Sequence, residues 1–173
     1  MVMNEAKIKV VCDAGPLIPL DELNCVDLLA HFEEIIVAEA VEKELEKHRP
    51  SALAKIGQKL TVARGGIFVT KELRVFCHVF SLDAGETESL ALMKKNPGAI
   101  FLTDDASARL VAEQMRLLVH GTIGIIIRAI RRRQKKAEEV LQILMDLPLK
   151  STLYVKPSLL DEILRKVRDE FHL

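Results

Sequence analysis

Short apolar runs alternate with helix-forming segments along the first two thirds of the chain, and this alternation most strongly constrains the fold. We predict strands at Ile8–Cys12, Glu34–Val37, Ile67–Val69, Ala99–Thr103 and Leu117–Val119. Strands separated by helices in this way form a parallel sheet that is covered by helices on both faces. The sequence therefore predicts a three-layer α/β/α fold with a central, mostly parallel twisted sheet of about four to five strands.

Helical segments fill the spaces between these strands and the whole C-terminal part of the chain. Between the strands we predict helices at Leu17–Leu20, Cys25–Phe32, Ala38–His48, Asp83–Lys95 and Ala106–Met115. Beyond them we predict helices at Ile123–Arg133, at Lys136–Leu147, where Pro148 ends the helix, and from Pro157 onward. We therefore predict an α/β core over residues 1–133 and a helical extension over residues 134–173 that packs on the core.

Composition excludes several classes of protein. The chain is 49% hydrophobic and 29% charged, which allows a sizeable core. Its 25 basic residues balance 25 acidic ones, whereas DNA-binding proteins that ignore sequence usually carry a strong positive excess. Three cysteines without a CxxC pair indicate buried thiols in a reducing compartment. The first ten residues lack the apolar region of a signal peptide, and no apolar run could cross a bilayer, so we expect a cytoplasmic protein.

Acidic residues gather around the predicted sheet. Asp13 directly follows the first strand, and Asp104 and Asp105 follow the fourth. Two further acidic sets lie on neighbouring helices: Glu42, Glu44 and Glu46, and Glu86 and Glu88. Because ligands of parallel α/β sheets bind beyond the carboxyl ends of the strands, we expect several of these carboxylates to meet at one edge.

Each acid on its own has an ordinary structural interpretation. Asp13, Asp104 or Asp105 could cap a helix, and acids in the first turn of a helix favour its dipole. Several carboxylates at one sheet edge, however, repel each other unless a cation lies among them. Oxygen ligands without His or Cys suit Mg²⁺ or Mn²⁺, and such ions activate water and neutralise the charge on a phosphoryl group. The acids together therefore predict phosphodiester hydrolysis.

Five segments, taken in order, carry a resemblance to a known family. They are Val10–Ile18, Ile36–Leu45, Leu82–Leu92, Phe101–Asp105 and His120–Gly124. Over residues 8–133 the chain resembles PIN-domain proteins, of the branch that includes VapC-type ribonuclease toxins. The resemblance implies an Mg²⁺- or Mn²⁺-dependent endoribonuclease that acts on RNA. It also implies a homodimer and, for a toxin, a small antitoxin protein as partner.

The resemblance also implies which residues form the site. The implied residues are the metal ligands Asp13, Glu44, one of Glu86 and Glu88, and one of Asp104 and Asp105, with Thr122 lining the site. We prefer Glu88 to Glu86, because this placement turns Leu92 to the same flank while Leu90 turns to the core. Asp105 fits the Thr-x-Asp spacing of the family, and Asp104 is the alternative.

The densest positive cluster is the segment Arg128–Lys136, which holds six basic residues among nine. Its arginines could contact the phosphates of a nucleic acid, or the segment could simply be a solvated helix surface. The candidate contacts are Arg128, Arg131, Arg132 and Arg133. His120 lies near the predicted site and is the one histidine of interest there.

Two other functions remain open at this point. A nucleic-acid-binding or scaffolding module of the same fold would not cleave, and it would not need four converging acids. A phosphatase or a phosphotransfer receiver domain also carries acids at strand ends. The phosphatase is disfavoured because Gly15 occupies the position where a second Asp would follow Asp13.

Overall fold

A computed structural model describes residues 8–172, and its centre is a five-stranded sheet in which every pair of neighbours is parallel. The strands are β1 (Lys9–Cys12), β2 (Glu34–Ala38), β3 (Leu60–Ala63), β4 (Ile100–Leu102) and β5 (Val119–His120). The order across the sheet is β3-β2-β1-β4-β5, and helices flank it. The predicted three-layer α/β/α fold is confirmed.

The helices flank the sheet and pack on it or on one another. They are α1 (Ala14–Glu22), α2 (Glu39–His48), α3 (Pro50–Ile56), α4 (Lys71–Val79), α5 (Ala84–Lys95), α6 (Ala106–Gln114), α7 (Thr122–Arg131), α8 (Ala137–Lys150) and α9 (Pro157–Phe171). The central strands are buried on both faces, which explains their uninterrupted apolar sequences. Leu144 of α8 and Val167 of α9 belong to the same apolar cluster as the strands. The division into a core and an extension stays a prediction.

Four elements differ from the sequence prediction. The third strand is β3 and not Ile67–Val69, which is irregular. β3 is an edge strand with half-buried side chains, so its apolar signal is weak, and the Gly65–Gly66 turn follows the strand instead of preceding it. α8 continues through Pro148 to Lys150, because a proline fits the helical φ and removes only one hydrogen bond in the last turn. Helices α3 and α4 were not predicted.

The strand order reverses at β1, which has β2 on one side and β4 on the other. Residues that follow β1 and β4 therefore meet in the crevice where ligands of open α/β sheets bind. The backbone N–H of Asp13 donates to the carbonyl oxygen of Leu102 at 2.9 Å, which joins the ends of these two strands.

Three further predictions concern the cysteines, the membrane and the N-terminus. Cys12, Cys25 and Cys77 are all buried and free, as expected. Within residues 8–172, each helix is too short or too polar to span a lipid bilayer. The prediction about a signal peptide rests largely on residues 1–7, which lie outside the described part of the chain.

Candidate active site

Asp13 lies at the centre of the candidate site, between β1 and α1. The residue is only 7% exposed. It occupies the N-cap position of α1, yet its side chain makes no capping hydrogen bond. One reason is that the third residue of the helix is Pro16, which has no N–H to donate. The capping role therefore does not explain why a carboxylate is buried at this position.

Thr103, at the end of β4, orients Asp13. Its side chain is fully buried, and its hydroxyl donates to Asp13 Oδ2 at 3.4 Å. The same Oγ1 accepts a hydrogen bond from the backbone N–H of Asp105 at 3.2 Å. Sequence analysis did not single out Thr103, although its place directly after a buried strand was the available signal.

Asp104 and Asp105 make different contacts. Thr122 donates its backbone N–H to Asp104 Oδ1 at 2.8 Å and its hydroxyl to Oδ2 at 2.5 Å. Both oxygens of Asp104 are thus held by the first residue of α7, and Thr122 is fully buried. Asp105 caps α6, because its Oδ1 accepts from the N–H of Ala108 at 2.7 Å. Its second oxygen is not used in the cap.

The N-terminus of α5 contributes an acid that sequence analysis missed. Asp83 and Glu86 form a capping box: the N–H of Glu86 donates to Asp83 Oδ1 at 2.8 Å, and the N–H of Asp83 donates to Glu86 Oε2 at 2.9 Å. The spacing Asp-x-x-Glu before an apolar run is the usual signature of such a box, so Asp83 could have been recognised. Glu86 thus stabilises the helix end and also lies near Asp13 and Asp105, whose charges act on it.

Glu88, the residue preferred from the sequence, lies on another side of α5. Its charge raises the pKa of Lys43 on α2, after the larger effects of Glu39. Residues two apart on a helix lie on different sides of it, and the charge of Asp13 acts on Glu86. The choice between Glu86 and Glu88 as a metal ligand stays a prediction.

Glu44 of α2 faces the same group of acids. Its charge raises the pKa of Asp13, and the charge of Asp83 in turn raises the pKa of Glu44, although burial has the larger effect on both residues. We call the acids that meet here the acidic group: Asp13, Glu44, Asp83, Glu86, Asp104 and Asp105.

Two glycines leave space beside Asp13. A Cβ on Gly85 would lie 3.2 Å from Val41 Cγ2, 3.4 Å from Asp83 Oδ1 and 3.9 Å from Asp13 Oδ1. A Cβ on Gly15 would lie 3.7 Å from Asp13 Oδ2 and 3.6 Å from the Cβ of Asp104. Because these two glycines have no side chains, a small space remains beside Asp13, which we call the glycine cradle.

Burial and mutual repulsion make the acidic group hard to ionise. Burial is the main reason why the pKa of Asp13 rises to about 6, and the charges of Asp83 and Glu44 add to it. Burial, followed by the charges of Asp83, Asp105 and Asp13, raises the pKa of Glu86 to about 7. Burial also raises the pKa of Asp104, although the hydrogen bonds from Thr122 oppose the rise. Such a group gains stability from a cation.

Within residues 8–172, the charges that act on Asp13 and Glu86 are those of other acids, whereas the charge of Arg109 lowers the pKa of Asp104. In the same range, no three His, Cys, Asp or Glu side chains lie close enough to hold a metal ion as they stand. The oxygen-only donors, the raised pKa values and the glycine cradle nevertheless fit Mg²⁺ or Mn²⁺. Binding of such an ion requires the carboxylate side chains to rotate towards each other.

The arginines predicted to contact a nucleic acid lie towards the far end of α7. Arg131 is two and a half turns after Thr122, which corresponds to about 13 Å along the helix. Arg131 pairs with Glu170 at 3.5 Å, and the guanidinium of Arg128 lies 5.6 Å from the ring centre of Phe32. Arg109 of α6 is closer to the acidic group, since it donates to the carbonyl oxygen of Thr103 at 3.3 Å. The role of Arg128, Arg131, Arg132 and Arg133 stays a prediction.

The fold and the site together define an α/β protein whose carboxylates converge at the switch point of a parallel sheet. The model of the family DUF3368, described as a PIN domain, matches residues 9–169. The chain therefore belongs to the PIN-domain family, whose members generally have nuclease activity and typically use divalent metal ions. No curated protein and no solved structure matches the chain.

The raised pKa values predict how metal affinity depends on pH. At pH 5 the carboxyls of Asp13 and Glu86, with pKa values of about 6 and about 7, are largely protonated, and a cation must displace these protons. We expect Mn²⁺ affinity, measured by isothermal titration calorimetry, to rise steeply between about pH 5 and pH 7 and to level off above about pH 8. Affinity that is constant across this range would contradict the assignment of these two residues.

Proposed function

We propose that this protein is a metal-dependent ribonuclease that hydrolyses phosphodiester bonds of RNA at the acidic group. The observation that carries the proposal is the convergence of six carboxylates from four separate chain segments, where burial and the charges of other members raise the pKa values of Asp13, Glu44 and Glu86. Like charges are not brought together at a sheet edge for stability, because their repulsion opposes folding. Their use lies in binding a cation.

As ligands of Mg²⁺ or Mn²⁺ we propose Asp13, Glu44, Glu86 and Asp105. Asp105 is chosen over Asp104 because both oxygens of Asp104 accept hydrogen bonds from Thr122, whereas Asp105 uses one oxygen to cap α6. As the ligand from α5 we propose Glu86 and not Glu88, because the charge of Asp13 acts on Glu86.

The remaining residues of the site position these ligands. Thr103 orients Asp13 relative to Asp105, Thr122 fixes Asp104 at the start of α7, and Asp83 holds the backbone of Glu86. When bound, a divalent cation lowers the pKa of water and neutralises charge on the phosphate. The buried carboxylates and their hydroxyl partners keep the negatively charged oxygens directed into one crevice.

The test is a cleavage assay on purified protein with labelled RNAs, single-stranded and structured, in Mn²⁺, in Mg²⁺ and in EDTA. We expect cleavage with either ion and none in EDTA. Glu86→Gln is expected to lower the cleavage rate by about 10²-fold or more, because changes at metal sites commonly have effects of at least this size. The matched control is Glu88→Gln, two residues further along α5, which should leave the rate within about twofold.

Cleavage that persists in EDTA would refute metal dependence, and cleavage that is absent with both ions would refute the nuclease. An equal loss of cleavage rate in Glu86→Gln and Glu88→Gln would contradict the choice of Glu86 over Glu88 as the metal ligand. Since the side chains as they stand do not enclose a metal ion within residues 8–172, the alternative is a non-cleaving module of the same fold that binds nucleic acid or acts as a scaffold. Such a module would bind RNA equally well with and without metal.

The resemblance to VapC-type toxins extends the proposal. It suggests the toxin of a toxin–antitoxin pair, with a small antitoxin protein as partner, a homodimeric state and a cytoplasmic location. Three large apolar side chains on the surface around α4, those of Phe68, Val75 and Val79, support a protein contact there.

A further inference from the structure

A groove of about 650 Å³ has Asp104 of the acidic group as the first of its lining residues along the chain. We call it the tyrosine groove and define it by six of its lining residues: Asp104, Arg109, His120, Gly121, Tyr154 and Lys156. The proposed hydrolysis uses only its first residue. The groove joins three parts of the chain, namely the start of α6, the β5–α7 turn and the α8–α9 loop.

Tyr154 lies on the wall of this groove with its ring in solvent. The residue is 79% exposed, although tyrosine rings usually bury most of their surface. Proteins that bind single-stranded nucleic acids use such rings as platforms, because every base has a face that stacks on an aromatic ring. Tyr154, which lines the same groove as Asp104 of the acidic group, is therefore suited to stack on a base.

The loop that carries Tyr154 is fixed to α1. Glu22 Oε2 accepts hydrogen bonds from the backbone N–H of Thr152 at 2.6 Å and from its hydroxyl at 3.0 Å. The other oxygen of Glu22 accepts from Arg49 at 2.8 Å. Because Glu22 is itself held by an ion pair and its side chain is only 5% exposed, the loop has a rigid anchor two residues before the tyrosine.

Two cations, Arg109 and Lys156, line the same groove as Tyr154. Arg109 donates one hydrogen bond, from Nη2 to the carbonyl oxygen of Thr103, and its charge acts on Asp104; a guanidinium has five N–H donors, so others are available. Lys156 is exposed and forms no ion pair within residues 8–172. An exposed aromatic ring and two cations in one groove are groups that bind the bases and the phosphates of a nucleic-acid strand.

We propose that the tyrosine groove binds a single strand of the RNA substrate, with one base stacked on Tyr154 and neighbouring phosphates on Arg109 and Lys156. The proposal rests on the proposed function, since it assigns the path by which the substrate reaches the acidic group. A duplex is excluded from this contact, because its bases are stacked within the helix and cannot stack on a protein ring.

The test uses the fact that the chain has one tyrosine and no tryptophan. Its intrinsic tyrosine fluorescence therefore reports on Tyr154 alone. We choose the Asp13→Asn variant in EDTA, so that RNA is bound without cleavage, and a fluorescently labelled single-stranded RNA of about 12 nucleotides. We expect saturable quenching of the tyrosine emission that follows the anisotropy of the RNA label, and no quenching by a duplex of the same sequence.

In the same background, Tyr154→Leu is expected to weaken single-strand binding by about 5- to 100-fold, which is the size of one base-stacking contact. Tyr154→Phe keeps the ring and should retain affinity. Phe68→Leu is the matched control, because Phe68 is 74% exposed but does not line the groove. Lys156→Gln should lower the slope of log affinity against log salt concentration by about 0.7.

Equal affinities of Tyr154→Leu and its parent would overturn the proposal, and so would equal quenching by single-stranded and duplex RNA. If the groove binds a protein segment instead of RNA, Tyr154→Leu and its parent would also have equal affinities for RNA. The outcome is separate from that of the cleavage assay, since binding is measured without metal. If the protein never cleaves RNA but Tyr154→Leu weakens RNA binding, the groove is supported and the ribonuclease is refuted. If the protein cleaves RNA but Tyr154→Leu binds RNA as tightly as its parent, the ribonuclease is supported and the groove is refuted.

Discussion

Asp13→Asn is expected to abolish RNA cleavage and, at the same time, to stabilise the metal-free protein. The loss of cleavage should exceed about 10²-fold, because Asp13 is the central carboxylate of the acidic group. The gain in stability has a different cause. Burial raises the pKa of Asp13 to about 6, so the folded protein holds this proton more tightly than the unfolded chain does.

The ionisation of Asp13 therefore costs no stability below its ordinary pKa, and the cost grows as the pH rises to about 6. At pH 7 we expect the metal-free variant to have a free energy of unfolding about 1–3 kcal/mol above that of the parent. At about pH 3 most of this difference should be gone, because Asp13 is then largely protonated in both states. Urea titrations at the two pH values, in EDTA, measure both quantities.

Asp21→Asn is the matched control for this result. Asp21 is also buried, but it accepts hydrogen bonds from Lys55 and Ser51, both at 2.6 Å, and these outweigh the effect of burial and lower its pKa. Its removal should therefore destabilise the protein at pH 7 and leave metal-dependent cleavage in place. If metal-free Asp13→Asn is less stable than its parent at pH 7, the carboxylate of Asp13 makes interactions that more than offset the free-energy cost of its burial.

Gly121→Ala is expected to lower the free energy of unfolding by about 2–4 kcal/mol and to disrupt the site. A Cβ at this position would lie 2.5 Å from Asp104 Oδ1, 3.1 Å from Arg109 Nη2 and 3.2 Å from the carbonyl oxygen of Thr103. The backbone of Gly121 is extended, with φ at −115° and ψ at −178°, so the effect is a steric clash and not a loss of conformational freedom. Asp104 must move, and its hydrogen bonds with Thr122 are lost.

Gly124→Ala provides the comparison, since it places the same methyl group one turn further along α7. Its Cβ would meet His120 at 3.6 Å, which is an ordinary van der Waals contact. In a helix interior this substitution should raise stability by about 0.5–1 kcal/mol. Thermal unfolding followed by circular dichroism distinguishes the two variants. Equal melting temperatures would show that Asp104 can move away from the methyl group at no cost.

The sheet could be predicted where its strands are central and not where they lie at the edge. β4 and, after the exposed Lys9, β1 are buried on both faces, so their sequences are apolar runs that identify them without tertiary information. The side chains of β3 are mostly half-buried, and its sequence is also compatible with a loop. Helices α3 and α4 are short, and α4 exposes Val75 and Val79, so hydrophobic periodicity alone does not reveal their orientation.

The site could be predicted in its position but not in the choice between neighbouring acids. Strand ends determine where Asp13, Asp104 and Asp105 lie, because parallel strands place their carboxyl ends at one edge. The choice between Glu86 and Glu88 depends on the rotation of α5 about its axis, which is set by the residues that pack against it. Tyr154 is fifty residues after Asp104 in the sequence, and no local pattern connects them.

α1 connects the two ends of the proposed substrate path. Asp13 precedes its first residue, and Glu22, its last residue, anchors the loop of Tyr154. A nine-residue helix is about 13 Å long and rigid over this length. A strand that is held on the tyrosine ring while it is cut would therefore be cut at a constant number of nucleotides from the stacked base, so that the helix would act as a molecular ruler for the products.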